Sequence, residues 1–228
     1  MTDLPRISIG LVTYKRTKEA LETIRSTCEN LAYPKELRSW YVGDDGSPGE
    51  HVDALLDGLR TRGENILGSF SEKLVPGTHF CGKGWNKTLG ICHQNSDFVL
   101  WLEDDWQLDE KLDLIPYVRL LQEREDVGLV SFRILSVGAD VHTLGHGGLV
   151  YLQYARTTQY AFSGNPYLRH ARYTKRYGWF REDCNPGNLE LKQDDEYRLA
   201  VDGPRIWRPA HISIWGAWKH IGTEKSWS

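Results

Sequence analysis

Three consecutive carboxylates, Glu103, Asp104 and Asp105, follow an apolar run in the stretch DFVLWLEDDW. Like charges at this spacing repel one another, and the flanking tryptophan and leucine side chains make each carboxylate resist desolvation. A bound cation allows such a cluster to stay ionised. Adjacent carboxylates at the end of a strand suit Mg²⁺ or Mn²⁺, which also bind waters and phosphate oxygens. The trio therefore predicts a divalent metal site.

Two further acidic groups could also do chemistry. Asp44 and Asp45 follow a short apolar run and begin the turn-forming stretch DDGSPG, for which an ordinary solvated turn is an equal explanation. The acids at 194–196 lie in the stretch KQDDEYRL and form the third acidic group of the chain. An exposed helix start with a favourable dipole interaction is the alternative for these acids.

The segments between these groups alternate between strand and helix patterns. Short β-branched or fully apolar runs predict strands at 6–14, 40–42, 66–70, 98–102, 127–135 and 204–216. Apolar residues at helical spacing predict helices at 17–31, 51–63, 81–97, 109–126 (interrupted near Pro116) and 192–203. This alternation is typical of an α/β fold with a mainly parallel central sheet flanked by helices. Ligands of such folds bind at the carboxyl ends of the strands, where the first two acidic groups lie.

The composition indicates a globular chain of 228 residues, 40% of them hydrophobic, with a net charge of -3. This balance gives no overall attraction to nucleic acid or to an anionic membrane. The start of the chain lacks a leader pattern and no run of roughly 18 apolar residues occurs, so we expect a cytoplasmic protein without a transmembrane segment. The four cysteines favour free thiols. A metal site from His79, Cys81, Cys92 and His93 is an alternative whose spacing matches no familiar zinc pattern.

Four motifs, in the order SIGLVTYKR, YVGDDGS, GKGWNKTLG and FVLWLEDDW, resemble the nucleotide-sugar-binding half of the family 2 glycosyltransferases. The resemblance covers residues 6–110 well and residues 111–228 more loosely. It implies a single GT-A domain over 1–228, with a donor-binding half at 6–110 and an acceptor-binding, catalytic-base half at 111–228. It also implies an inverting, metal-dependent hexosyl- or pentosyltransferase that uses Mn²⁺ or Mg²⁺. Such an enzyme moves a sugar from a nucleotide sugar, with a UDP-sugar as the expected donor, to a hydroxyl acceptor.

The resemblance assigns donor binding to all four motifs. It implies contacts with the nucleoside after the first and second strands, and with the diphosphate at the glycine-rich helix start. The implied donor-binding residues are Thr13, Tyr14, Arg16, Asp44, Asp45, Lys83, Asn86, Glu103 and Asp104. A carboxylate can accept from a uracil N–H or a ribose hydroxyl, and a helix N-terminus favours negative charge.

The metal ligands are also implied by the resemblance. The stretch LEDDW matches the family's DxD-type motif, in which Asp105 is the metal ligand. Glu103 replaces the usual first aspartate, and its longer arm is expected near the metal or the ribose. His220, in the terminal segment WKHIGTEKSWS, is the implied histidine ligand, with His211 as the second candidate.

The catalytic base is expected in the second half of the chain. The family's acidic pair aligns with Asp194 and Asp195, a register that is uncertain by one residue because the family's usual Glu-Asp is replaced. Asp194 is the expected base, and Asp195 and Glu182 are its rivals. The base would take the proton from the acceptor hydroxyl as the anomeric carbon is attacked.

The segment 156–181 combines basic residues with interleaved aromatic residues and contains no acidic one. Aromatic rings stack on sugars, and cations hold phosphate groups, so we expect Arg169, Arg172 and Trp179 to bind the acceptor. A solvated basic face over partly buried aromatic residues is an equal alternative. A nucleic-acid groove uses the same mixture, which keeps a hydroxymethylated DNA base among the acceptors beside saccharide, lipid and protein.

Two other functions fit part of the pattern. A nucleotidyltransferase also places carboxylates and Mg²⁺ at strand ends, but TYKRTKEA lacks the glycine-rich loop expected after the first strand. A non-catalytic carbohydrate- or nucleic-acid-binding module on the same scaffold would use the segment 156–181 as its surface. The sequence leaves the oligomeric state open.

Overall fold

The computed structural model describes residues 4–72, 81–133, 135, 138–213 and 215–222. Its strands are β1 (Ile7–Thr13), β2 (Leu31–Ala32), β3 (Arg38–Asp44), β4 (Asn65–Ser71), β5 (Phe98–Glu103), β6 (Trp106–Leu108), β7 (Leu112–Asp113), β8 (Val127–Ser131), β9 (Val141–His146), β10 (Leu149–Tyr154), β11 (Tyr167–His170), β12 (Arg205–Pro209) and β13 (Trp218–His220). Its helices are α1 (Thr17–Asn30), α2 (Gly49–Thr61), α3 (Gly82–Asn95), α4 (Ile115–Glu123), α5 (Ala171–Tyr177) and α6 (Pro186–Leu199).

One nine-stranded sheet, in the order β4-β3-β1-β5-β11-β8-β12-β10-β9, organises the fold. The four strands of the first half, β4, β3, β1 and β5, are parallel, as the alternation of strands and helices predicts. The second half is mixed, since β11 runs antiparallel to both of its neighbours and β9 and β10 form a hairpin. Gly147 and Gly148, both with positive φ, connect the hairpin; such a short connection can join only antiparallel strands.

The strand β5 is buried on both of its faces, as its continuous apolar sequence predicts. Phe98, Leu100 and Leu102 pack into the core on one side of the sheet, and Val99 and Trp101 pack into the core on the other side. Side chains alternate between the faces of a strand, so a strand with cores on both sides has no place for a polar residue. The carboxylates can begin only where this strand ends.

Two helix predictions are wrong by more than one helical turn at the start of the helix, and the first of them, at 109–126, begins only at Ile115, after β7. Pro116 does not interrupt a helix; it lies in the first turn of α4, where a proline is tolerated because the N–H it lacks has no partner there. The helix predicted at 192–203 begins earlier, at Pro186, where the Asn185 side chain caps it by accepting from the Asn188 N–H. Asp194 is therefore in the middle of α6 and not at an exposed helix start.

The remaining observations concern the whole described chain. No helix of the described residues combines the length and apolarity that a membrane crossing requires. All four cysteines are free thiols, as predicted. Of the alternative cysteine and histidine metal site, His79 lies outside the described residues.

Candidate active site

The ends of β1, β3 and β5 form one edge of the parallel half of the sheet. In the paired register Thr13 lies opposite Asp44, and Val12 lies opposite Glu103. The sequence motifs that follow these three strands are therefore neighbours in space.

Asp104 fixes the loop that follows β1. Its Oδ2 atom accepts from the Thr13 hydroxyl and from the Tyr14 N–H, both at 2.9 Å. Its side chain is buried, and this burial, with the neighbouring Asp105, raises its pKa to about 7. Arg16 Nη1 lies 3.5 Å from the other oxygen. Three of the predicted donor residues are thus held together by one buried carboxyl group.

The two aspartates after β3 have different surroundings. Asp44 is fully buried, and its Oδ2 atom accepts from the Gly46 N–H, the Ser47 N–H and the Ser71 hydroxyl, so it shapes the turn. Asp45 faces the site, with its carboxylate packed against Gly84 at the start of α3. Burial and the nearby Asp44 raise the pKa of Asp45 to about 8, and the described residues offer its carboxylate no hydrogen-bond donor. Asp45 is the member of the pair suited to binding a ligand.

Asp105 lies beside a histidine from the other end of the chain. The pairing of β13 with β6 places His220 opposite Trp106, and its Nε2 atom is 3.1 Å from Asp105 Oδ2. Arg16 also donates to this oxygen. Among the described residues, Asp105 Oδ1 is buried and has no hydrogen-bond partner. His211, the second histidine candidate, instead lies 2.9 Å from the Tyr117 hydroxyl.

The pair formed by Asp105 and His220 fits a divalent ion bound by two protein ligands. A carboxylate and an imidazole are ligands that Mn²⁺ accepts, and an ion of this kind usually keeps waters and substrate phosphate oxygens. The buried, unpartnered Oδ1 atom of Asp105 agrees with this fit. In the described part of the chain no group of three or more His, Cys, Asp or Glu side chains is arranged to hold a metal ion.

Glu103 lies close to Glu190, a carboxylate that the sequence analysis did not select. A Cβ atom built on Gly164 would lie less than 3.0 Å from an oxygen of Glu103 and from an oxygen of Glu190. Glu190 accepts from the Gly164 N–H, and from the Ser163 hydroxyl at 3.3 Å. Burial and the neighbouring Glu190 raise the pKa of Glu103 well above its usual value, and burial raises the pKa of Glu190. The two acids form a carboxyl pair across Gly164.

The three predicted base candidates occupy different environments. Asp194 is 2% exposed and accepts from the Tyr160 N–H at 2.8 Å and the Phe162 N–H at 3.1 Å. Asp195 is exposed and lies 3.7 Å from Arg198. Glu182 is exposed and accepts from the Asn86 side chain at 2.9 Å.

The two donor-binding candidates of α3 both contact protein groups. Lys83 is exposed and forms an ion pair with Glu72. Asn86 bonds twice to the main chain of Phe180, donating to its carbonyl and accepting from its N–H, each at 2.8 Å. Lys83 therefore presents a positive charge at the surface, whereas the neutral Asn86 amide is bound by the main chain.

The predicted acceptor residues are mostly engaged by the protein itself. Arg169 is fully buried, and its guanidinium lies over the rings of Tyr173 and Phe180. Arg172 donates to three main-chain carbonyls at and after the end of α4. Trp179 is 51% exposed and lies beside α3. Of these three candidates, only Trp179 presents its side chain to solvent.

Other basic residues of the segment 156–181 are also paired. Arg156 donates to three main-chain carbonyls, while Arg176 and Arg181 form ion pairs with Asp202 and Asp183. Carboxylates thus neutralise two of these charges and main-chain carbonyls bind a third, so the excess of positive charge seen in the sequence is largely engaged by other protein groups within the described structure. It does not form an open cationic groove of the kind that a nucleic-acid backbone requires.

Comparisons with known proteins identify the fold. No protein-family model and no curated protein sequence matches the chain. Among solved structures, the chain is similar to residues 1–349 of S. aureus TarS, with 17% identity and a TM-score of 0.65. The match covers 90% of the present chain and 58% of the TarS chain. The mannosyltransferase PcManGT from Pyrobaculum calidifontis matches 92% of this chain and 56% of its own, with 17% identity and a TM-score of 0.60. GalNAc-T7 matches 92% of this chain and 43% of its own, with 9% identity and a TM-score of 0.63.

The chain therefore spans only 43% to 58% of the length of these three chains. Identities of 9% to 17% establish a shared fold and leave the activity to be argued from the residues. The protein has a mixed α/β fold of the GT-A type, with a large central sheet flanked by helices, as predicted from its sequence.

Proposed function

We propose that the protein transfers a sugar from a nucleotide sugar, a UDP-sugar in the first instance, to a hydroxyl acceptor with inversion at the anomeric carbon. The observation that carries this proposal is the contact between the side chains of Asp105 and His220, next to the loop after β1 that Asp104 holds in place. TarS has been solved with UDP and with UDP-GlcNAc, and PcManGT with GDP-Man and Mn²⁺. These complexes support a nucleotide-sugar donor and a divalent metal for a chain with the same fold.

The donor-binding roles follow from the surroundings of each residue. Asp45, a partly buried carboxyl group without a protein donor among the described residues, would bind a uracil N–H or the ribose hydroxyls. The Asp45 N–H donates to the carbonyl of Thr13, the residue before Tyr14, and the Tyr14 ring would offer a face to the base. Asp105 and His220 would hold Mn²⁺ or Mg²⁺, which when bound supplies positive charge to the diphosphate leaving group.

Glu190 is the carboxylate that we propose as the base. A single displacement needs one group to take the acceptor's proton, and Glu190 lies beside Glu103 at the end of the central strand. Asp194 is one helical turn further along α6, with both oxygens bound to main-chain N–H groups. Asp194, Asp195 and Glu182 remain predictions that mutagenesis can decide.

The test is mass spectrometry of the protein incubated with pooled nucleotide sugars and Mn²⁺. We expect one donor to be retained or slowly hydrolysed to its nucleoside diphosphate. Transfer to an accepted hydroxyl should be lost in Glu190→Gln, while donor binding is kept. Loss of transfer in Asp194→Asn but not in Glu190→Gln would move the base to Asp194. No turnover of any donor would favour a non-catalytic binding module, and turnover of nucleoside triphosphates alone would favour a nucleotidyltransferase.

A further inference from the structure

Tyr160 has an unusual backbone conformation and an exposed aromatic ring. Its φ angle is 57°, in the left-handed region that bulky side chains rarely adopt, and 53% of its surface is exposed. An exposed tyrosine gains little packing energy that would offset such strain. Strained residues of this kind persist where the surrounding structure holds them, and they concentrate at functional sites.

Two buried charged side chains hold Tyr160 in place. Its N–H donates to Asp194 Oδ2 at 2.8 Å, and its carbonyl accepts from the Arg133 guanidinium. The second oxygen of Asp194 accepts from the Phe162 N–H, and Phe162 itself is buried. Asp194 is 2% exposed and Arg133 is 6% exposed. The main chain at Tyr160 is therefore anchored on both sides, while its ring is left in solvent.

This anchored segment leads directly to the carboxyl pair. The same helix, α6, binds the loop 160–164 twice, through Asp194 at Tyr160 and through Glu190 at Gly164. Residues four positions apart lie on one face of a helix, so both carboxylates face the loop. The main chain of Tyr160 is thus bound to α6 about one helical turn from Glu190, and its exposed ring lies on the same loop as Gly164.

We propose that Tyr160 is the stacking platform for a pyranose ring of a saccharide acceptor, and that Asp194 is the positioning residue that holds it there. The apolar C–H face of a sugar ring packs on an aromatic ring, and a fixed main chain reduces the entropy lost on binding. The inference rests on the proposed function, since an acceptor exists only for a transferase.

The charges around Tyr160 favour a neutral saccharide over a nucleic acid. The arginines described above at 156, 169, 172, 176 and 181 are buried, bonded to main-chain carbonyls or paired with carboxylates. A phosphate backbone needs unpaired cations along its path, whereas a neutral sugar does not.

The test measures binding of neutral methyl pyranosides by saturation-transfer NMR, with the wild type and with variants of Tyr160. The wild type and Tyr160→Phe should saturate the ring C–H protons of at least one glycoside. Tyr160→Ala should weaken this binding about tenfold or more, from the loss of one stacked ring. Tyr160→Gly should do the same while relieving the backbone strain, so a folding defect cannot explain the loss. Leu199→Ala, at an exposed apolar position at the other end of α6, is the control and should bind as the wild type does.

Asp194→Asn tests the positioning role, because an amide cannot accept with both of its atoms. Its loss of glycoside binding should match that of Tyr160→Ala, and the double variant should be no worse than either one. Additive losses would overturn the positioning role. The platform is overturned if no glycoside binds the wild type, if Tyr160→Ala binds glycosides normally, or if a hydroxymethylcytosine oligonucleotide binds in their place. A parallel titration with UDP tests the donor separately: failure of UDP to bind, with Tyr160-dependent glycoside binding intact, would count against the proposed function alone.

Discussion

Replacing Gly164 by alanine should destabilise the protein and disturb the carboxyl pair. The new Cβ atom would lie less than 3.0 Å from oxygens of Glu103 and Glu190, and 3.3 Å from the Trp85 ring. Overpacking of a tightly filled site costs about 1–3 kcal/mol. In a protein of this size each kcal/mol lowers Tm by about 2–4 °C, so the expected loss is roughly 2–12 °C. Transfer activity should fall together with the Tm, since the carboxylates of Glu103 and Glu190 must move apart to make room for the new methyl group.

Gly187→Ala provides a matched control on the adjoining helix. A Cβ at Gly187 would meet only the Asn185 side chain, at an ordinary contact distance of 3.7 Å. Alanine is also the better helix former by up to about 1 kcal/mol, so this variant should melt at or above the wild-type temperature. Thermal unfolding followed by circular dichroism, with turnover measured on the same samples, compares the two. If Gly164→Ala has the same Tm and the same turnover as Gly187→Ala, the carboxyl groups of Glu103 and Glu190 do not pack against Gly164.

Three further predictions test other parts of the structure. Asp104→Ala should weaken UDP binding about tenfold, because it removes the acceptor of the Thr13 and Tyr14 hydrogen bonds; titration calorimetry measures this, and unchanged affinity would contradict it. Arg172→Ala should lower the free energy of unfolding by roughly 2 kcal/mol, because it leaves main-chain carbonyls without their donor, and it should leave acceptor binding intact. Urea unfolding and an acceptor-binding assay measure the two effects; unchanged stability with lost acceptor binding would contradict the prediction. Burial raises the pKa of Asp45 from its ordinary 3.8 to about 8. Between these two pH values Asp45 is protonated in the folded protein and ionised in the unfolded chain. The free energy of unfolding should therefore fall as pH rises from about 4 to about 8, and Asp45→Asn should reduce this fall; equal slopes in the two proteins would refute the assignment.

The donor edge could be predicted because its signals are local. The apolar run at 98–102 identifies a central strand, and carboxylates that follow such a strand must lie at its end. The alternation of strands and helices then places the end of β1 and the end of β3 beside it. Which carboxylate of each group is free to bind a ligand depends on contacts within the turn, as the bonded Asp44 and the open Asp45 illustrate.

The acceptor half could not be predicted to the same depth because its contacts are distant in sequence. The spacing of Glu190 and Asp194 is visible in LELKQD, but the sequence does not show that both face the loop 160–164. The basic residues of 156–181 look alike in the sequence. Their partners are carbonyls and carboxylates from other elements, and no local pattern shows that Arg172 caps α4. His220 reaches Asp105 only through the pairing of β13 with β6.

Titration calorimetry of a UDP-sugar in Mn²⁺, and again in excess chelator, tests the central claim most directly. Asp105→Asn is the informative variant, and Asp109→Asn, an exposed aspartate just beyond β6, is its matched control. We expect binding that requires the metal in the wild type and in Asp109→Asn, and that is lost in Asp105→Asn without a fall in Tm. Equal UDP-sugar affinity in the wild type, in chelator and in Asp105→Asn would contradict the metal-dependent donor site.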